Sequence, residues 1–198
     1  EYGCTFWLAP ARNIHRNPLC GRNFEYFSED PYLAGQMAAA LCRGVQQEEG
    51  YYATIKHFAC NNQEENRNAV SSNVSERALR EIYLRGFSIA VREGGAKAVM
   101  TSYNRLNGVY TPNSYDLCTK VLRNEWGFEG VVMTDWFSTM KGQGDTALAM
   151  AAGNDLIMPG GKSYKSAILL AVQQGRIGMA DVARCCGNVL RPILNSQN

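Results

Sequence analysis

Short apolar runs alternate along the chain with amphipathic stretches of a different period. Each run has four to eight residues and is apolar nearly throughout, as is typical of parallel strands covered on both faces. The runs lie at residues 6–11, 52–59, 96–103, 130–136 and 155–158. The pattern predicts five buried β-strands.

Between these runs the apolar residues recur at helical spacing. Ser75 is a predicted N-cap, Gly94 and Gly95 should end the helix that follows it, and a last helix should begin near Asp181. Pro192 should end or kink that last helix. The stripes that predict the helices are Leu33, Met37, Leu41 and Val45; Leu79, Ile82, Tyr83, Phe87 and Ala90; Leu117, Val121, Leu122 and Trp126; Ala167, Ile168, Ala171 and Val172; and Val182, Cys186, Val189 and Leu190.

The alternation of strands and helices predicts an α/β fold with a mainly parallel sheet. A closed (β/α)₈ barrel takes about 250 residues. We therefore expect a partial TIM-type barrel of about five consecutive βα units. An open doubly wound sheet is the alternative, but no glycine-rich dinucleotide or P-loop signature follows any predicted strand. Missing units would leave open sheet edges and uncovered apolar faces, so we expect self-association.

Composition and apolar run lengths argue against a nucleic-acid-binding or membrane-spanning protein. The chain of 198 residues is 45% hydrophobic and 19% charged with a net charge of +2, which gives no case for nucleic-acid binding. Its longest apolar runs are too short to cross a membrane. It begins at Glu1, close to a predicted strand, and no signal peptide is visible, so we expect a piece of a larger cytoplasmic protein.

The cysteines indicate neither a metal site nor a redox motif. There are seven, irregularly spaced and without a CxxC pair. Free thiols in a reducing compartment are favoured over disulfides.

Polar residues follow three of the predicted strands at the points where the strands end. Lys56 and His57 follow one, Tyr103 the next, and Asp135 and Trp136 the third. Because chemistry in a parallel barrel collects at the carboxyl ends of the strands, we expect these side chains on one rim. Structural alternatives exist for each: a helix N-cap for Asp135, a salt-bridged strand end for Lys56 and His57, and ordinary packing for Tyr103 and Trp136.

A carboxylate beside aromatic and basic residues suits sugar chemistry. Hydrolysis of a glycoside with retention needs one carboxylate to attack the anomeric carbon and another to protonate the leaving oxygen. Arg22, Lys56 and His57 could donate to sugar hydroxyls, and Trp136 could pack on the apolar face of the sugar. Two alternatives stay open: a barrel aldolase that uses Lys56 as a Schiff-base amine, and a non-catalytic carbohydrate-binding or scaffolding piece.

Four motifs resemble glycoside hydrolase family 3, the β-glucosidase family, in order and spacing. They are GRNFEYFSEDPYLAG (residues 21–35), IKHFACNNQEENR (55–67), VMTSYNRLNGV (99–109) and NEWGFEGVVMTDW (124–136). The resemblance implies that residues 1–198 are the C-terminal part of the family's barrel domain, without its second domain. The ACNNQE segment resembles the glucosidase and xylosidase branch rather than the N-acetylhexosaminidase branch.

The resemblance also implies roles for matching positions. Asp135 matches the catalytic nucleophile, and the matching sugar-binding residues are Arg22, Lys56, His57, Met100, Tyr103 and Trp136. We expect the cations among them to lower the pKa of Asp135.

The second carboxylate has no matching position. In this branch the general acid/base is a glutamate from a second domain, and the local candidates Glu25, Glu29, Glu64 and Glu65 have no support from their motif positions. The resemblance implies a β-glucoside or oligosaccharide substrate, no cofactor, and the remaining domains of the parent chain as partners. We expect the isolated chain to be inactive.

Overall fold

The computed structural model describes residues 3–196. Four parallel strands form its main sheet, and they lie side by side in the same order as along the chain. Numbered along the chain, they are β1 (Phe6–Trp7), β2 (Tyr52–Phe58), β4 (Ala98–Thr101) and β7 (Val131–Met133), in the spatial order β1-β2-β4-β7. Every neighbouring pair is parallel. The predicted α/β class with a mainly parallel sheet is confirmed, and the uninterrupted strand order is that of a barrel segment rather than of a doubly wound sheet.

The fifth predicted strand contributes only a single bridge, between Met133 and Leu156. The backbone amide of Thr134 donates to the carbonyl of Leu156 at 3.0 Å. In a continued parallel ladder the amide of Met158 would donate to the carbonyl of Thr134, but it donates to the Thr134 hydroxyl instead. A side chain thus replaces the ladder at this point. Within the described residues the sheet stays open, and self-association remains a prediction.

Helices cover the sheet in the places that the apolar spacing predicts. They are α1 (Pro31–Val45), α2 (Glu76–Ala78), α3 (Arg85–Arg92), α4 (Thr146–Ala152), α5 (Lys162–Gln173) and α6 (Met179–Leu194), with π-helical segments at Leu79–Tyr83 and Asp116–Glu125 and 3₁₀ turns at Asn23–Glu25 and Thr111–Asn113. The Ser75 hydroxyl caps α2 as predicted, accepting from the amide of Ala78. Helix α4 was not predicted. Pro192 does not end α6, which continues to Leu194.

Helix α1 buries a different face from the one that its large apolar residues suggest. Leu33, Met37 and Leu41 are 51%, 46% and 37% exposed. The buried face instead consists of small residues, namely Ala34, Gly35, Ala38, Ala39 and Cys42. Small side chains let the helix approach α3 closely, and a Cβ on Gly35 would lie only 2.9 Å from the Cα of Gly86.

A second, smaller sheet lies beside the carboxyl end of the main one. It contains β3 (Ser71–Ser72), β5 (Arg105–Leu106) and β6 (Val109–Tyr110), with β5 and β6 forming a hairpin. Its two turn residues, Asn107 and Gly108, have φ values of 49° and 87°. Asn-Gly between short apolar segments is a strong hairpin signal, so this element was predictable but was missed.

Arg12 places a charge inside the layer between the sheet and α3. Its side chain is fully buried, and its guanidinium carbon lies 4.1 Å from the centre of the Phe87 ring. None of its guanidinium nitrogens has a hydrogen-bond partner among the described residues. Burial lowers the pKa of Arg12 to about 9. The loss of hydration without a hydrogen-bond partner acts against stability, whereas the contact with the Phe87 ring acts in its favour.

Asp155 joins the sheet to two helical elements. Its buried carboxylate accepts from Arg123 at 2.6 Å, from the amide of Val132 at 2.9 Å and from Asn188 at 2.9 Å. Burial raises the pKa of Asp155 and Arg123 opposes the rise. These bonds connect β7, the π-helical segment Asp116–Glu125 and α6.

Two further sequence expectations concern cysteines and membranes. Cys20, Cys42, Cys60, Cys118, Cys185 and Cys186 are free thiols, as favoured from their spacing. Across residues 3–196, no helix has the length and apolar character needed to span a bilayer.

We expect Gly35→Ala to destabilise the fold by about 1–3 kcal/mol, because the added methyl group has no room between α1 and α3. Gly44→Ala in the same helix is the matched control, since nothing lies within 4 Å of the point that its Cβ would occupy. There the better helix propensity of alanine should add about 0.5–1 kcal/mol of stability. Urea unfolding followed by circular dichroism measures both, and a neutral Gly35→Ala would contradict the close helix contact.

Candidate active site

The carboxyl ends of β2, β4 and β7 bring His57, Tyr103 and Asp135 together. Nε2 of His57 lies 3.8 Å from Oδ2 of Asp135. The Tyr103 hydroxyl donates to the backbone carbonyl of Trp136 at 2.7 Å, which holds the tyrosine beside the same carboxylate. Parallel pairing produces this convergence, because it aligns the three strands so that they end at one edge.

The Asp135 carboxylate is buried, and its two oxygens differ in their contacts. The residue is 7% exposed. Oδ1 accepts from the amide of Trp136 at 2.7 Å. Oδ2 lies 3.8 Å from Nε2 of His57 and has no partner at hydrogen-bond geometry among the described residues, although the Tyr103 hydroxyl also interacts with this carboxyl and lowers its pKa. No helix begins after Asp135, so the N-cap alternative is wrong. A buried polar oxygen without a partner calls for an explanation, and a catalytic role is one such explanation.

Burial decides the electrostatics of Asp135. It raises the pKa of the carboxyl above its usual value, while the Trp136 amide, the nearby Tyr103 hydroxyl, Arg22 and Arg67 oppose the rise. The expectation that the cations of the rim would lower this pKa overall is therefore wrong. They act in the expected direction, but the cost of removing a charge from water is larger.

His57 is held by its backbone and is neutral. The side-chain amide of Asn13 accepts from the His57 amide at 2.8 Å and donates to its carbonyl at 2.9 Å. Burial, and then the charges of Arg22, Lys56 and Arg67, hold the pKa of His57 well below its usual value. His57 therefore faces Asp135 as an uncharged imidazole and adds no positive charge to the rim.

Arg22 and Lys56 meet at a shared carboxylate, that of Glu25. Nε of Arg22 donates to one oxygen of Glu25, and Nζ of Lys56 lies 3.8 Å from the other. Burial lowers the pKa of Lys56 and Glu25 opposes that effect. For Arg22 burial also acts downward, but its bond to Glu25 outweighs it, so the pKa of Arg22 is raised.

Arg67 belongs to the site but was not among the predicted residues. Its guanidinium lies 4.3 Å from the centre of the Tyr103 ring and 2.6 Å from a carboxylate oxygen of Glu64. Through its charge it lowers the pKa of both Asp135 and His57. The residue ends the IKHFACNNQEENR motif, but a loop brings it back to the rim, and strand-end position gives no signal for that.

Trp136 and Met100 differ in their positions relative to Asp135. Trp136 is 43% exposed, and its ring lies 6.2 Å from that of Phe137 in an edge-on arrangement, so an apolar surface is available beside Asp135. Met100 is buried in the apolar cluster on the inner face of the sheet, with Val131 and Met133. The structure thus places Met100 in the core rather than among the polar residues around Asp135.

The site offers the components for nucleophilic displacement on a polar ligand, namely a buried carboxylate, flanking cations and an aromatic surface. Among residues 3–196, no three His, Cys, Asp or Glu side chains are grouped in a way that could hold a metal ion.

The sequence and the fold both match known proteins. A family model described as "Glycosyl hydrolase family 3 N terminal domain" matches residues 1–191. A β-glucosidase from Ruminococcus albus is 48% identical over an alignment of 191 residues that covers 92% of this chain and 20% of that protein.

Solved structures match over almost the whole chain. β-Glucosidase 3B from Thermotoga neapolitana, in complex with glucose, superposes with a TM-score of 0.92 at 50% identity, over 98% of this chain and 28% of that one. A family 3 β-glucosidase from Bifidobacterium adolescentis gives a TM-score of 0.90 at 42% identity, over 98% and 28% of the two chains. The chain thus spans between about a fifth and just over a quarter of the length of these relatives.

Arg67→Met should raise the pKa of Asp135 further, because an opposite charge near a carboxylate favours its ionised form and removing that charge favours protonation. A ¹³C NMR titration of aspartate-labelled protein measures this shift. Arg105→Met is the matched control, since Arg105 stacks instead on Tyr110, with 4.6 Å between its guanidinium carbon and the ring centre. Equal shifts in the two variants would contradict a specific effect of Arg67.

Proposed function

The chain belongs to glycosyl hydrolase family 3, and we propose that it is the part of a retaining β-glycosidase that supplies the catalytic nucleophile, Asp135. One observation carries the proposal: the carboxyl of Asp135 is buried at the carboxyl edge of the sheet, and no group among the described residues meets hydrogen-bond geometry to its Oδ2. A nucleophile must have an oxygen that can approach the bound substrate.

The surrounding residues suit a sugar. The exposed surface of Trp136 can pack on the apolar face of a pyranose, and Arg22 and Lys56 can donate to its hydroxyls. The neutral imidazole of His57 offers one donor and one acceptor. Relatives named as β-glucosidases support a terminal β-D-glucoside or a related β-glycoside as the substrate.

The reaction then proceeds in two displacements. Oδ2 of ionised Asp135 attacks the anomeric carbon while the bond to the leaving oxygen breaks, and a general acid protonates that oxygen. The residue that served as general acid then removes a proton from a water, which attacks the anomeric carbon. This step releases Asp135 and the sugar with its original configuration. Arg22 and Arg67 favour the ionised carboxylate that the first step requires.

The general acid must come from elsewhere in the parent protein. In a retaining enzyme the two carboxyl groups stand about 5–5.5 Å apart. The rim glutamates Glu25 and Glu64 are both engaged by basic side chains, and Glu29 and Glu65 are exposed. We therefore assign the acid to a domain of the parent beyond this chain.

The aldolase alternative loses its support. The lowered pKa of Lys56 would suit a Schiff-base amine, but that interpretation gives no role to the free oxygen of Asp135 and does not fit the family. A purely carbohydrate-binding role remains the second candidate for the isolated chain.

In the full-length protein, a 2-deoxy-2-fluoro β-glucoside should label the peptide that contains Asp135, because the fluorine slows hydrolysis of the covalent intermediate. Asp135→Ala should lose both the label and the activity, with losses of several orders of magnitude in kcat. Mass spectrometry of the digested enzyme identifies the labelled residue. Labelling of another carboxylate, or an inverted product, would overturn the assignment.

The 198-residue chain alone should turn over aryl β-glucosides negligibly. Loss of general acid catalysis typically costs about 10²–10⁴-fold in rate, and a less firmly positioned sugar should lower the rate further. Robust turnover by the purified chain that disappears in Asp135→Asn would contradict this prediction. Calorimetry with glucose separates retained binding from lost turnover.

A further inference from the structure

We propose that Glu25 is a positioning residue of the sugar site, which fixes Arg22 and Lys56 in the orientation that the sugar requires. The proposal rests on the proposed function, since it assigns a role within the same site. Glu25 ends the 3₁₀ turn Asn23–Glu25, and its side chain is mostly buried. It contacts one cation with each carboxylate oxygen.

The contacts divide the donors of Arg22 into two groups. Glu25 takes the hydrogen bond from Nε. The terminal nitrogens Nη1 and Nη2 are then the donors that can reach a sugar hydroxyl. Because the guanidinium is planar and rigid, fixing Nε also fixes the direction of these two nitrogens.

The same carboxylate keeps Lys56 charged and in place. Lys56 is mostly buried and close to Arg22, and both conditions favour the neutral amine. The carboxylate of Glu25 attracts the ammonium group and opposes the effect of Arg22 on it. Lysine has a flexible side chain whose position depends on such a partner.

These contacts also distinguish Glu25 from a proton donor. Each of its oxygens already faces a cation, so it lacks a free oxygen for the leaving group. Removing Glu25 should therefore weaken sugar binding more than it slows the chemical step, whereas removing a general acid lowers kcat.

The test uses the full-length enzyme with Glu25→Gln, which keeps the shape of the side chain and removes its charge. We expect the dissociation constant of glucose and the KM of an aryl β-glucoside to rise at least about tenfold, with a smaller change in kcat. The alkaline limit of glucose binding should move to lower pH, because Lys56 loses the carboxylate that supports its charge. Glu29→Gln, in the same loop but exposed, is the matched control and should leave both constants unchanged.

A double-mutant cycle separates positioning from a general structural role. In a Lys56→Met background, Glu25→Gln should weaken glucose binding less than in the wild type, because residues that act through one another are not additive. Additive effects, or wild-type glucose affinity in Glu25→Gln, would overturn the proposal. Should Glu25→Gln not fold, Glu25→Asp keeps the charge with a shorter reach and should give a weaker form of the same binding defect. Full activity in Asp135→Asn would instead refute the proposed function, so the two failures are distinguishable.

Discussion

Parallel pairing of β2, β4 and β7 is the constraint on which the site depends. Thr54 pairs with Ala98, and Met100 pairs with Met133. With this register the three strands end at one edge, where His57 and Asp135 come within 3.8 Å. A shift of one residue would turn alternate side chains to the opposite face of the sheet and separate the pair. The geometry of the candidate site therefore depends on strand register as much as on the identity of its residues.

Much of this arrangement is predictable, because strands buried on both faces and helical stripes have distinct periods. The sequence could not reveal which face of α1 is buried. Leu33, Met37 and Leu41 predict an apolar contact surface, yet the helix packs through Gly35 and its small neighbours. Close approach of two helices depends on the absence of side-chain volume, which hydrophobic patterns do not record. Nor does any local pattern predict that Arg12 would be buried without partners among the described residues.

The same limit applies to the candidate site, where some residues could be predicted from the sequence and others could not. Residues at the strand ends could be predicted, because their position follows from the strand boundaries. Asn13, Glu25 and Arg67 could not, since each reaches the rim from outside the strands and acts on another residue. Met100 is buried with Val131 and Met133, and its role in lining the sugar site stays a prediction. Sequence therefore predicts the residues that strands carry to the edge better than those that hold them there.

The pKa of Asp135 depends both on its burial at the strand end and on residues that reach the rim from loops. Burial excludes water and raises the pKa, whereas Arg22 and Arg67 lower it. A nucleophile needs both, since a water-filled site would weaken every electrostatic contact and an uncompensated carboxylate would hold its proton. Arg22, which is proposed to bind the sugar, thus also favours the ionised form of Asp135. Under the proposed function, binding and reactivity are therefore coupled through this one side chain.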